Sequence, residues 1–410
     1  MSVELDWREG EESGDVRWEQ PESETTPEPA RTIVSRAQPR PGRSRMVVPF
    51  LLAVLAGVLI GGAALAAAVA VRANQRNELA RRDVEAAVAL LIEAQRAGDV
   101  FSYGQLLDPA AEVWHSRRIA GLRQAASPPA LTQVQSVRLQ DDIAMAELLE
   151  SAANGGQAAT RTAFFRLSEG RWLLTAPIAA RFGAVLQQSS PHFLIEYRKS
   201  DEPAMQGLVD LAEGSFVALC GELRCRASER PLQLVLAYED DVVASDGALH
   251  VRSPRLTGVD NRGYPGEAFR RALARALAMQ LTVEGFPAAS SALRSAVGEW
   301  AAGDLTEATY RNMATLRQAF QRGELSSLDG AWQVVAVRNG GGALEQTMVA
   351  GMLAYAQDVF GSGAVGRLLD AAPATLPDAL RRALDVSTDD FEAGWLEWLQ
   401  AGPPDASSPA

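Results

Sequence analysis

The chain has 410 residues with a formal net charge of −12, and 47% of its residues are apolar against 22% charged. That much apolar material excludes a wholly disordered chain, and at about 150 residues per domain it predicts two or three domains. An acidic balance excludes a general nucleic-acid binder. With two cysteines and three scattered histidines, His115, His192 and His250, neither a disulfide-dense scaffold nor a histidine-rich metal centre is expected.

The first 28 residues carry ten acids against Arg8 and Arg17. Such a stretch buries too little surface to offset chain entropy, so residues 1–45 read as a disordered tail. Its Trp7 and Trp18 stand in no apolar period. Residues 31–45 then hold five arginines and no acid, and residues 46–71 run 26 positions without a charge. That length suits a bilayer core with some tilt. A cleavable signal peptide has a shorter apolar region and a shorter polar lead, so an uncleaved anchor is expected. The arginines before it predict a cytoplasmic N-terminus and an extracytoplasmic remainder. Gly57 and Gly61 form a GxxxG pair that offers a homodimer face.

After a linker over residues 72–82, the run DVEAAVALLIEAQRA (83–97) has helical apolar spacing, interrupted by Gly98-Asp99. A second helix ends at Leu107, and Asp108-Pro109 opens a third. Residues 131–139, 142–150 and 158–168 alternate as strands, and the last turns at Glu169-Gly170 into WLLTAP. Helices followed by an antiparallel meander make an α+β unit over residues 83–183. The AGD break, the LLDP segment and the closing FFRLSEGRWLLTAP hairpin resemble the ketosteroid-isomerase-like, or nuclear-transport-factor-2-like, cone fold. That resemblance implies either an enzyme with an acid or base inside the cone or a pure binding module. Tyr103, Asp108 and His115 are the nearby candidates. Asp108 reads as a helix N-cap and the other two as packing or surface residues, so a non-catalytic unit is expected.

From residue 190 the pattern is strand (192–197), helix (203–219), strand (231–238) and a short strand (248–254). Helical stretches follow over 267–283, 289–302, 306–322, 343–360, 362–371, 376–385 and 391–399, then a flexible tail over 403–410. The segments ALHVRSPRL, FRRALARALAMQL and the closing FEAGWLEWL resemble the gluzincin, peptidase MA-like domains of bacterial exported proteins, over residues 190–402. The family carries HExxH on its central helix. Histidines at i and i+4 share a helix face and bind zinc, the intervening glutamate activates the bound water, and a further glutamate about 20 residues on completes the site. Laid onto this chain, the resemblance puts the first histidine at Arg275, the catalytic glutamate at Ala276, the second histidine at Met279 and the third ligand at Glu299. Only the last position keeps a metal-binding group. His192 and His250, on predicted strands, do not restore the pair. The resemblance therefore implies a peptidase fold without catalytic residues, metal or cofactor. An Arg275–Glu299 salt bridge is expected where zinc would stand, with Met279 filling apolar space and Arg271 as the alternative partner.

Cys220 and Cys225 flank GELR at a helix end, and in an exported domain they are expected to form a local disulfide. Gly340, Gly341 and Gly342 lack the Lys-Ser/Thr of a phosphate loop and read as a hinge. Trp395 and Trp398 read as packing of the last helix. The function expected is binding or scaffolding of an envelope protein or ligand. The alternative is an envelope hydrolase with an unconventional site or a catalytic cone.

Overall fold

A computed structural model describes residues 47–124, 131–151, 158–225, 230–239, 247–304, 308–372 and 374–401. The expected tails, residues 1–45 and 403–410, lie outside the described residues, as do Trp7 and Trp18. The chain divides into two compact units, residues 1–67 and 68–410. Helix α1 (Val47–Ala97) is the only described element with residues in the first unit. No helix among the described residues is long and apolar enough to cross a membrane. The uncharged run at 46–71 falls partly on residues outside the described set. Gly57 and Gly61 face open space.

Within the second unit, residues 72–82 are helical instead of a separate linker. The physical reason is continuity of the apolar stripe: Ala80, Val84, Ala87, Val88, Leu91 and Ala94 are all buried on one face. On the opposite side Arg81 pairs with Glu78 and Glu85 at 2.8 Å each. Gly98 adopts φ +64 and ends α1. Asp99 then caps α2 (Val100–Gln105), accepting the N–H groups of Phe101 and Ser102 at 3.1 and 3.0 Å. Helix α3 (Glu112–Gln124) follows.

The first sheet is an antiparallel meander of β1 (Leu131–Gln140), β2 (Ile143–Ser151), β3 (Ala159–Ser168) and β4 (Arg171–Thr175). Glu169 and Gly170, both at positive φ, make the tight turn between β3 and β4. The LLDP segment docks on β4, Asp108 N–H donating to Leu174 O at 2.8 Å and Leu174 N–H to Leu106 O at 2.9 Å. Asp108 is therefore not the N-cap that the sequence suggests: α3 starts only at Glu112, and Asp108 Oδ1 instead accepts from Ala110 N–H at 3.0 Å in the preceding turn. It is buried, accepts from Thr175 Oγ1 at 2.7 Å and lies 3.0 Å from Arg166 Nη1.

The second sheet has the order β5 (Val185–Ser189), β6 (Phe193–Arg198), β7 (Leu232–Ala237), β8 (Leu249–Arg252). β5 is antiparallel to β6, and β6, β7 and β8 are parallel. The second part therefore begins at residue 185, not 190. Strand β5 was invisible to apolar alternation because it is a half-exposed edge, VLQQS. Helix α4 (Met205–Leu223) connects β6 to β7, and α5 (Pro254–Thr257), capped by Ser253, follows β8.

The remainder is helical: α6 (Glu267–Gly285), α7 (Ser291–Asp304), α8 (Ala308–Gln321), α9 (Leu328–Trp332), α10 (Ala343–Phe360), α11 (Ala364–Ala371), α12 (Leu376–Leu384) and α13 (Thr388–Ala401). Helix α9 continues into a wider π turn over Gln333–Val337 that periodicity did not reveal. The class is α+β, as expected. One core runs from the second sheet through α6, α7 and α10 to α13, with Trp300, Trp332 and Trp395 fully buried. Trp398 is half-buried and donates to Asp358 Oδ2 at 2.8 Å. The two sheets stay separate, but Thr160 in β3 and Val259 after α5 exchange both backbone hydrogen bonds, at 2.7 and 2.9 Å.

Candidate functional site

Helices α6 and α7 lie side by side because both carry an apolar face. Phe269, Leu273, Leu277 and Leu281 of α6 are buried, as are Leu293, Val297 and Trp300 of α7. Gly298 lets the backbones approach: a Cβ there would stand 2.9 Å from Arg275 Cγ, 3.1 Å from Met279 Cγ and 3.3 Å from the Arg275 carbonyl. Against this contact Arg275 Nη1 lies 2.7 Å from Glu299 Oε1. The structure thus brings Arg275, Met279 and Glu299 together across the helix pair, and Ala276 packs against the core. Arg275 keeps 46% of its side-chain exposure and Glu299 25%, so the pair is a rim contact rather than a buried one.

These groups do not fit a zinc ion. Arg275 is a permanent cation, Ala276 has no donor, and the carboxylate of Glu299 is engaged by the guanidinium. A catalytic zinc needs three protein ligands. Among the described residues no group of three His, Cys, Asp or Glu is placed to hold a metal.

The histidines stand elsewhere. His115 Nε2 lies 3.2 Å from Gly104 O, fastening α3 to α2. His250 is on β8. His192 stands just before β6, not on a strand, stacked on Phe216. Its Nδ1 lies 2.6 Å from Glu213 Oε2, while Ser190 Oγ donates to Glu213 Oε1 at 2.6 Å. In a Ser-His-acid triad the serine hands its proton to the imidazole, and here Ser190 donates to the carboxylate instead, so the trio is a clamp of β6 on α4. Burial opposes ionisation of Glu213, but the hydrogen bonds from Ser190 and His192 outweigh it and lower its pKa.

Just past the carboxyl ends of the parallel strands, Asp201, Tyr238 and Ser253 converge. Asp201 is wholly buried and accepts hydrogen bonds from the Tyr238 hydroxyl and from Ser253 Oγ. Arg198 N–H donates to the Tyr238 oxygen at 2.7 Å. Burial raises the Asp201 carboxyl despite these hydrogen bonds, and burial together with the Asp201 charge raises the Tyr238 hydroxyl. Sequence periodicity missed this cluster because its members come from three connections.

Cys220 and Cys225 are free thiols, so the expected disulfide is not formed in this structure. Arg224, at φ +55, is the left-handed cap of α4, and Cys225 N–H closes the helix on Cys220 O at 3.1 Å. The side chains hydrogen bond to each other. That bond, with burial, raises the Cys220 thiol, and the same bond lowers Cys225 against its own burial. The Gly-rich segment is a connection: Asn339 Oδ1 accepts from Ser291 Oγ and Ala292 N–H at the start of α7, and Gly342 N–H donates to Glu345 Oε2 at the start of α10.

One concavity lies where the first sheet meets α5 and β8. A cavity of about 400 Å³ there has an apolar wall of Leu91, Leu148, Phe165 and Leu256. It shares Gln95, Tyr103, Arg118 and Arg252 with an adjoining cavity of about 450 Å³ toward α3. Tyr103, expected as packing, is buried and lines both. Such volumes suit a small molecule. No protein-family model matches this chain, and no curated protein matches it.

Proposed function

We propose that this chain is a single-pass protein of the bacterial cell envelope. Its extracytoplasmic part binds a ligand or partner and performs no metallopeptidase chemistry. In this reading the part from residue 185 onward is a gluzincin-like fold that has exchanged its metal for an ion pair, and the preceding helix–sheet part is a cone-like binding module. The observation that carries the reading is the Arg275–Glu299 contact at 2.7 Å. A carboxylate at the third ligand position without a metal needs another counter-charge, and a guanidinium supplies one in matching geometry. Ala276 leaves no general base for water.

Anchoring rests on the sequence: 26 uncharged residues preceded by five arginines. The test uses the full chain, stripped with chelator and titrated with zinc by calorimetry, then incubated with an unstructured protein substrate. The reading predicts no stoichiometric zinc and no cleavage. One bound zinc or chelator-sensitive cleavage would overturn it. Protease added to intact spheroplasts should degrade residues 72–410, and full protection of them would reverse the orientation.

A further inference from the structure

We infer that the cavity between the first sheet and α5 binds an amphiphilic anion, a molecule with a carboxylate or phosphate head and an apolar body. The inference deepens the binding role proposed above and does not depend on the peptidase comparison.

Three features point to this chemistry. The wall is apolar, with Val88, Leu91 and Ile92 of α1 facing Leu148, Phe165 and Leu256. The polar end is cationic. Arg117, Arg118, Arg161 and Arg252 line the two joined cavities, and Glu150 is the one acid among the lining residues. Glu150 is paired with Arg161, and the cation that faces the cavity for this inference is Arg118. Arg118 is also held in place: its guanidinium sits 5.1 Å from the Trp114 ring centroid, and its buried Nε has no hydrogen-bond partner among the described residues. Tyr103 and Gln95, shared by both cavities, add neutral polar groups beside it.

Arginine forks match carboxylate and phosphate oxygens in pairs, and a partly enclosed, low-dielectric site strengthens that attraction. An apolar cation would be repelled by the Arg118 guanidinium. A neutral apolar molecule would fill the wall but leave the buried Arg118 Nε without a hydrogen-bond acceptor.

The experiment uses the full chain in phosphatidylcholine nanodiscs, with empty discs subtracted. The probes are 4-phenylbutanoate, 4-phenylbutyl phosphate and the neutral 4-phenylbutan-1-ol, titrated by calorimetry. At least one anion should bind tenfold or more tightly than the alcohol. Arg118→Gln should weaken the anion at least tenfold and leave the alcohol unchanged. Gly121, on the wall of the α3-side cavity, has open space around its Cβ position, so Gly121→Trp adds bulk at that wall without a clash at Cβ. That variant should lose anion binding while keeping the wild-type melting temperature. Repeating the titration in discs containing phosphatidic acid separates the sources. Suppressed binding identifies a lipid headgroup drawn from the bilayer, and unchanged binding a dissolved anion. No measurable anion binding, equal binding of the alcohol, or an Arg118→Gln protein with unchanged anion affinity would overturn the inference.

Discussion

Removing both charges of the Arg275–Glu299 pair should cost little. The contact is a single one of 2.7 Å, with Arg275 nearly half exposed and Glu299 a quarter exposed. Unit charges about 4 Å apart attract by about 1 kcal/mol in water and about 4 kcal/mol at the effective dielectric of a protein surface. Ordering two long side chains and partial desolvation consume most of the larger figure. Measured exposed pairs retain about 0.2–1 kcal/mol, whereas breaking a buried pair costs about 3–5 kcal/mol. The expected coupling in a cycle of Arg275→Met, Glu299→Leu and the double variant is therefore about 0.5–1 kcal/mol. The assay is urea unfolding of the 68–410 unit, with the slope required to stay constant across the four proteins. High salt should shrink the coupling toward zero. A coupling above about 3 kcal/mol would mean the pair is shielded from solvent, contrary to the exposure argument. A coupling indistinguishable from zero at low salt would mean that the two side chains are not paired as described.

Gly298→Ala should destabilise the same unit by about 1–3 kcal/mol, because the new methyl meets Arg275 and Met279 with no free volume; an unchanged urea midpoint would refute the close approach. Asp201 holds its proton more tightly folded than unfolded, so the folded state binds more protons above about pH 4 and stability falls as pH rises from there. Asp201→Asn should lack that component, and identical pH slopes for the two proteins would contradict it. Glu213 is the opposite case: its lowered pKa stabilises the fold above about pH 4.3, and that contribution disappears as pH falls. Glu213→Gln should accordingly flatten the acid limb of the stability curve. Iodoacetamide should modify Cys225 before Cys220, since only Cys225 has a lowered thiol pKa; equal rates by peptide mass mapping would count against the thiol pair.

What the sequence revealed follows from the range of each signal. Strands β1 to β4 and helices α6, α7 and α10 were legible because each carries its own apolar period and stops at its own turn residues. The Arg275–Glu299 pairing was expected only through the gluzincin resemblance, which puts the two positions at one zinc, and the structure has them 2.7 Å apart. Strand β5 was not, being a polar edge whose order comes from its neighbour Phe193–Arg198. The π turn after Trp332 was not, since its Val335 and Ala336 are buried on an irregular winding. The 72–82 segment reads as charged and linker-like, yet Ala80 docks in the core and the helix never breaks. The cavity was the hardest feature to foresee. Arg118, Arg161 and Arg252 come from α3, β3 and β8, far apart in sequence, and only the folded chain gathers them. The Asp201 cluster was hidden for the same reason, its partners lying 37 and 52 residues away.

In the proposed function α6 and α7 form a metallopeptidase-like frame whose ligands have been replaced. The most direct measurement is to rebuild the site with Arg275→His, Ala276→Glu and Met279→His together, leaving Glu299 in place, and to count bound zinc in the dialysed protein. A frame of that geometry supplies two imidazoles one turn apart and a facing carboxylate, the three protein ligands zinc requires. The account predicts one zinc per chain in the rebuilt protein, lost on Glu299→Gln, and none in the wild type. A folded rebuilt protein that binds no zinc, or a wild-type chain that already holds one, would contradict it.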